Sequence, residues 1–375
     1  MEPKRLTSLD ALRGLAALVV VLWHWQHFFA LDGDWMDGWT RDMQPAYGLL
    51  KPFYVQGWAA VDLFFVLSGF VFFWLYGAAI RSRAVAASRF AGLRLSRLYP
   101  LHVVLLVVAA TLQFLFFRAH GVFFIYEAND APHFAASLVM VQNWWPGSPQ
   151  SFDGPSWSVS VEVLLYVLFF IACRAGLKRG LHCFVLACLG GLLLPYDEHI
   201  ARGIIGFFMG GFVFTVWDLL RVRADARAAG RLLGAAAVLG WLALAAMLYR
   251  GSSWLANGEA NNLFLLAFDF GLCPLTVLAL ALHEQARGRS YAALGFLGDI
   301  SYSTYMIHFP LQLGLALLAP ALGLAPRFFM QGWVMLTFYV VLIGLGTLSY
   351  RYFERPMQIL LRSLGQRKDS VAARG

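Results

Sequence analysis

Charge is scarce in this chain. Only 13% of its 375 residues are Asp, Glu, Lys or Arg, while 60% are hydrophobic and the mean hydropathy is +0.64. A soluble domain carries about one-quarter charged residues, so a soluble globular fold is excluded. Cysteine is scarce too. Cys173, Cys183, Cys188 and Cys273 all fall in apolar runs or short basic loops, and no C-x-x-C spacing occurs. A disulfide framework and a thiolate metal centre therefore have no support, and no structural disulfide is expected. Tandem repeats, low-complexity tracts and a visible inverted repeat are also missing, which weakens a secondary-transporter reading. Finally, no small-residue cleavage site follows the first apolar run, although Lys4 and Arg5 precede it as in a signal peptide. That run is expected to be kept as the first membrane span.

What is abundant is apolar length. Runs of about 18–22 apolar residues recur from end to end and predict ten helices. Their approximate bounds are 9–29, 57–77, 98–118, 157–174, 181–195, 202–218, 231–249, 262–282, 294–318 and 328–350. The fold class is thus all-α, a polytopic membrane bundle. The net charge of +8 would suggest nucleic-acid binding only if its placement were ignored. Twenty-two of the 29 Lys and Arg lie in alternate connections, from Lys4 and Arg5 through Arg81–Arg97 to Arg351–Arg374. The other connections carry Arg41, Lys51, Arg118, Arg202, Arg250 and Arg327, and Arg13 stands alone within a span. The positive-inside rule then puts both termini in the cytoplasm. Residues 1–356 read as one membrane domain and 357–375 as a basic cytoplasmic tail. No soluble module is expected.

Several polar side chains interrupt the apolar runs, and charge at membrane depth usually marks a pathway or a reactive site. Arg13 and His24 are eleven residues apart, which is three helical turns plus about 20° and roughly 16 Å along the axis. On one helix they share a face. His24 is either a general base or a hydrogen-bonded interfacial histidine; Arg13 either binds an anion or snorkels inward. Asp62 in the second span is placed to orient His24, or is a solvated helix-end acid. Arg94 and Arg97 are neighbours on one face, as suits bidentate phosphate binding or a routine cytoplasmic helix end. Ser158 and Glu162 share a face one to two turns into the fourth span, where a carboxylate needs a partner, with His24 a candidate. Tyr305 and His308 are neighbours in the ninth span, and a lone buried histidine is more often structural. The segment Tyr352 to Pro356 reads as an interfacial anchor.

Six segments in this order resemble the acyltransferase 3 family of integral membrane acyltransferases. They are Arg13 through His24, Phe64 through Phe70, Arg94 through Pro100, Ser156-Trp157-Ser158 through Glu162, Leu297 through His308, and Glu354-Arg355-Pro356. The resemblance runs from about Leu9 to Pro356. It implies transfer of an acyl group, commonly acetyl, from cytoplasmic acyl-coenzyme A to a hydroxyl of a glycan, glycolipid or similar acceptor on the outer side. It further implies that Arg13 and His24 are essential, that Arg94 and Arg97 lie on the donor side, and that Glu162 is a buried functional acid. Some members add a C-terminal esterase-like domain, which is not expected here.

On this reading His24 deprotonates the acceptor and Glu162 or Asp62 fixes its tautomer. Arg94, Arg97 and Arg13 hold the coenzyme A phosphates. Ser156, Ser158, Tyr305 and His308 are candidate acceptor or oxyanion contacts. No metal is required, no nucleic-acid partner is expected, and the expected location is a bacterial inner membrane among its lipids. The alternative is an exporter of a glycan or lipid precursor that uses Arg13, Glu162 and His24 as a relay.

Overall fold

The computed structural model describes residues 5–30, 34–178, 180–223, 225–251, 258–287 and 291–372. Lys4, Arg179, Arg289 and Arg374, part of the charge pattern above, lie outside them. All regular structure among the described residues is helical. In chain order the α-helices are α1 Thr7–Trp23, α2 Tyr47–Gln56, α3 Ala60–Phe72, α4 Ala78–Arg81, α5 Ala87–His120, α6 Ala131–Leu138, α7 Trp157–Arg174 and α8 Gly180–Gly191. They continue with α9 Glu198–Leu220, α10 Ala226–Arg250, α11 Gly258–Ala267, α12 Cys273–Arg287, α13 Ala292–Ala321, α14 Gly332–Ser349 and α15 Arg355–Ala372.

Eight helical stretches among the described residues are long and apolar enough to cross a membrane. Two of the ten expected spans fall outside that set. α8 has 12 residues, about 18 Å of helix, against a hydrocarbon core of about 30 Å. α13 has 30 residues but carries Ser301, Tyr302, Ser303, Thr304, Tyr305, His308 and Gln312 through its middle. Those polar groups depress its hydropathy, and all but Tyr302 are buried.

The residues divide into two compact units: 1–23, 47–81 and 167–299 form one, and 24–46, 82–166 and 300–375 the other. The first unit is closed by small residues. Gly206 and Gly210 on α9 are four apart, and α3 crosses them at Gly69. A Cβ on Gly69 would fall 1.8 Å from the Phe207 carbonyl oxygen, and one on Gly210 would fall 2.1 Å from that of Val66. Only glycines let the two backbones approach this closely. Around the crossing pack Leu63, Val66, Leu67, Phe70, Val213 and Trp217. Gly14 on α1 faces Leu297 in the same way, where a Cβ would lie 2.3 Å from the leucine Cβ.

In the second unit the long segment between α5 and α7 is ordered and held to α5 by buried side chains. Gln113 donates to Phe124 O at 3.0 Å and accepts from Phe124 N at 3.0 Å. His102 Nε2 donates to Ser137 O at 2.8 Å. Asp130 caps α6 by accepting from His133 N at 2.9 Å.

Two π-turns sit one turn before a proline. Phe268–Leu272 precedes Pro274 and Tyr350–Glu354 precedes Pro356. Proline lacks an N–H and its ring clashes with the carbonyl four residues back, so the helix widens there rather than breaking. Within the second π-turn Glu354 is buried and accepts from Ser303 Oγ, and from Ser349 Oγ at 2.9 Å, while Tyr352 beside it is exposed.

Candidate active site

α1 ends at Trp23, and His24 opens a 3-10 turn that runs to Phe29. The phase that would put Arg13 and His24 on one face of a continuous α-helix is therefore lost at the histidine. Each finds its partners in its own unit.

His24 belongs to the second unit, is buried, and its Nδ1 lies 3.1 Å from His308 Nε2. The sequence leads one to expect a carboxylate there. His308 Nδ1 in turn faces the Tyr305 carbonyl oxygen. A carbonyl only accepts, so the His308 proton sits on Nδ1 and its Nε2 accepts. His24 Nδ1 must then donate to His308 Nε2. The chain of donors fixes the His24 tautomer and makes its Nε2 the basic nitrogen. Gln312, one turn past His308 on α13, donates to the His24 backbone carbonyl at 3.0 Å. The His27 ring stands 4.9 Å from that of His24, centroid to centroid. His27 and Gln312 were not legible as site residues. The signal for Gln312 was a stripe of polar residues at 301, 304, 305, 308 and 312 in an otherwise apolar helix.

Two tyrosines flank these imidazoles. Tyr126 packs its ring 6.1 Å from His27 and 5.0 Å from Phe309. Tyr305 lies 5.7 Å from His308; its hydroxyl donates to Pro155 O at 2.8 Å and meets Ser158 Oγ at 2.8 Å. Ser158 Oγ also donates to Pro155 O, at 3.3 Å, so the Tyr305 and Ser158 hydroxyl protons are both directed into the protein. Ser156 Oγ accepts from Gln142 Nε2 at 3.2 Å.

Glu162 accepts from Tyr166 Oη at 2.6 Å, one turn along α7. The Arg94 guanidinium lies 5.9 Å from the centre of the Tyr166 ring, and Arg97 also acts electrostatically on that tyrosine. The two arginines of α5 therefore converge on Tyr166, and Glu162 is their acidic neighbour through it.

The remaining two residues lie in the first unit. Asp62 is fully buried and receives Arg202 Nε at 2.8 Å and Nη2 at 3.2 Å. Its carboxylate is committed to a bidentate ion pair rather than placed to orient an imidazole, and Arg202 also stacks 4.5 Å over Trp58. Arg13 donates from Nη2 to Asp10 Oδ1 and to Gly298 O, both at 2.9 Å, which ties α1 to the start of α13.

Backbone strain gathers on the long segment. Ile125, Met140 and Phe152 all have positive φ, at 63°, 60° and 46°, each costing on the order of 1–3 kcal/mol. Ile125 and Phe152 adjoin Tyr126 and Asp153, and Met140 lies two residues before Gln142.

The family profile described as "Acyltransferase domain" matches residues 6–350 of this chain. Acyltransferase MdmB of Streptomyces mycarofaciens is 27% identical over 418 aligned residues, covering all of this chain and 96% of that protein. O-acetyltransferase OatA of Staphylococcus aureus is 23% identical over 95% of this chain, which spans 58% of that protein's length. No solved structure matches. A profile match over nearly the whole length, together with an all-helical membrane fold, decides the class: the chain belongs to the acyltransferase 3 family, and is a multi-pass integral membrane enzyme that transfers acyl groups.

Proposed function

We propose that this enzyme moves an acyl group, acetyl in the simplest case, from cytoplasmic acyl-coenzyme A to a hydroxyl of an extracytoplasmic glycan, glycolipid or related acceptor. The observation that carries this reading is the buried His24–His308 pair, whose donor order leaves Nε2 of His24 basic. In the reaction, His24 Nε2 takes the proton of the acceptor hydroxyl as its oxygen attacks the thioester carbonyl. The carbon–sulfur bond breaks, and the departing coenzyme A thiolate takes that proton back from the imidazolium. His308 holds the tautomer and shares the positive charge while it lasts.

Arg94 and Arg97 bind the phosphates of the donor on the cytoplasmic side, while Arg13 secures Asp10 and Gly298 within its own unit. Glu162 holds Tyr166 beside the two arginines. Asp62 serves by securing Arg202, not by touching the reacting groups. Ser158 and Tyr305 shape the wall next to His308, and Ser156 does so through Gln142. The enzyme lies in a bacterial inner membrane with both ends in the cytoplasm, and 357–375 forms its basic cytoplasmic tail.

Sidedness gives the test. Purified protein is reconstituted in liposomes, with labelled acetyl-coenzyme A on one face and a panel of sugar acceptors on the other. The proposal predicts acceptor-bound label across the bilayer, dependent on donor. Movement of a sugar without acetyl-coenzyme A, and no labelled ester, would support the exporter instead.

A further inference from the structure

Five buried polar atoms on three neighbouring side chains have no hydrogen-bond partner among the described residues: Gln142 Oε1, Asn143 Nδ2 and Oδ1, and both oxygens of Asp153. The three residues are only 4%, 3% and 2% exposed. They gather on one stretch at the start of α7. Gln142 Nε2 donates to Ser156 Oγ, Asn143 N donates to Ser160 Oγ at 3.2 Å, and Ser156 N donates to Asp153 O at 2.9 Å. Buried polar groups are almost always paired, so five exceptions in one place call for a ligand. Their chemistry restricts it. Amides both donate and accept, a carboxyl accepts, and a hydroxyl does both. Burial pushes the Asp153 carboxyl well above the usual carboxylate range, which adds a donor. An alkyl chain would leave all five unmet, and a phosphate would meet an acid where it needs cations.

Position ties this set to the imidazoles. Gly154 packs flat on Tyr126, for a Cβ there would lie 2.1 Å from the ring Cζ, and Pro155 O holds the Tyr305 hydroxyl. The Asp153–Pro155 turn is thus fastened between the two tyrosines that adjoin His27 and His308. The geometry points to Gln142, Asn143 and Asp153 as a subsite for the hydroxyl groups of a polyhydroxylated acceptor, which it holds so that one hydroxyl is presented to the histidines. That last step rests on the acyl-transfer reading; the binding itself does not.

The test is saturation-transfer NMR on purified protein with three probes: methyl β-glucoside, methyl β-galactoside and methyl N-acetyl-β-glucosaminide. The expected result is saturable binding of at least one, weakened roughly tenfold or more in Asp153→Ala and Asn143→Ala and unchanged in Gly92→Ala, where an added Cβ meets nothing within 4 Å. Asp153→Leu, which keeps the shape but carries no donor or acceptor, serves if Asp153→Ala fails to fold, with the same weakening expected. No saturable signal from any probe with wild type, or equal binding in the folded Asp153 and Asn143 variants, would overturn the subsite. Absence of acyl transfer by wild-type protein that binds a probe would count against the proposed reaction and leave the subsite standing.

Discussion

A histidine becomes a base through what its other nitrogen does. His24 Nδ1 donates to His308, and His308 donates to a main-chain carbonyl, so two neutral rings are ordered without any carboxylate. His308→Ala should therefore lower the turnover rate while leaving the KM for acyl-coenzyme A near its wild-type value, as steady-state kinetics would read. Asp153 supplies a pH prediction. Its carboxyl is raised by burial from an ordinary value near 3.8, so the folded chain keeps a proton that the unfolded chain releases. The stability this gives is full below about 3.8 and is lost as pH rises through the elevated value. Asp153→Asn should flatten that dependence, and its melting temperature should fall less between pH 5 and 8 than that of the wild type. His24, Arg13 and Glu162 were legible because they break apolar runs. Asp153 and His27 were not: Asp153 lies outside the expected spans, His27 lies at the very end of the first, and neither forms a motif; only folding brings them to the other site groups in their unit.

Elements are positioned here by what is small or by what is paired. At the α3–α9 crossing, Gly69→Ala and Gly210→Ala each force backbones apart and should cost about 1–3 kcal/mol, as overpacking does. Gly92 on α5 has nothing within 4 Å of a Cβ, so Gly92→Ala should be neutral or stabilising by up to about 1 kcal/mol. Thermal unfolding in detergent separates the two cases. Removing one side of the buried Asp62–Arg202 pair is harsher, about 3–5 kcal/mol for Arg202→Met, because the Asp62 charge is left buried alone. Gly69 is visible in the sequence as a small residue within an apolar run, but which helix crosses there is a long-range fact. The π-turns were likewise hidden, although Pro274 and Pro356 mark them in hindsight.

For the whole molecule, hydropathy and loop charge carried the class: an all-α, multi-pass membrane chain. They carried the helix positions as well, apart from α2, α6 and other short pieces whose composition is not that of a span. α13, expected as one span among ten, falls outside the eight stretches apolar enough to cross a membrane among the described residues, because of its polar stripe. Reporter fusions placed after Arg83, Asp130, Arg223 and Asp369 should report inside, outside, inside and inside if both termini are cytoplasmic; any exchange among them would rule that topology out. The account stands or falls on His24, and the most direct measurement is acceptor-dependent transfer of labelled acetyl from acetyl-coenzyme A by wild type and by His24→Ala, purified and shown to be folded alike. Loss of a general base predicts a fall of about 10²–10⁴ in kcat, and transfer by the variant at the wild-type rate would contradict it.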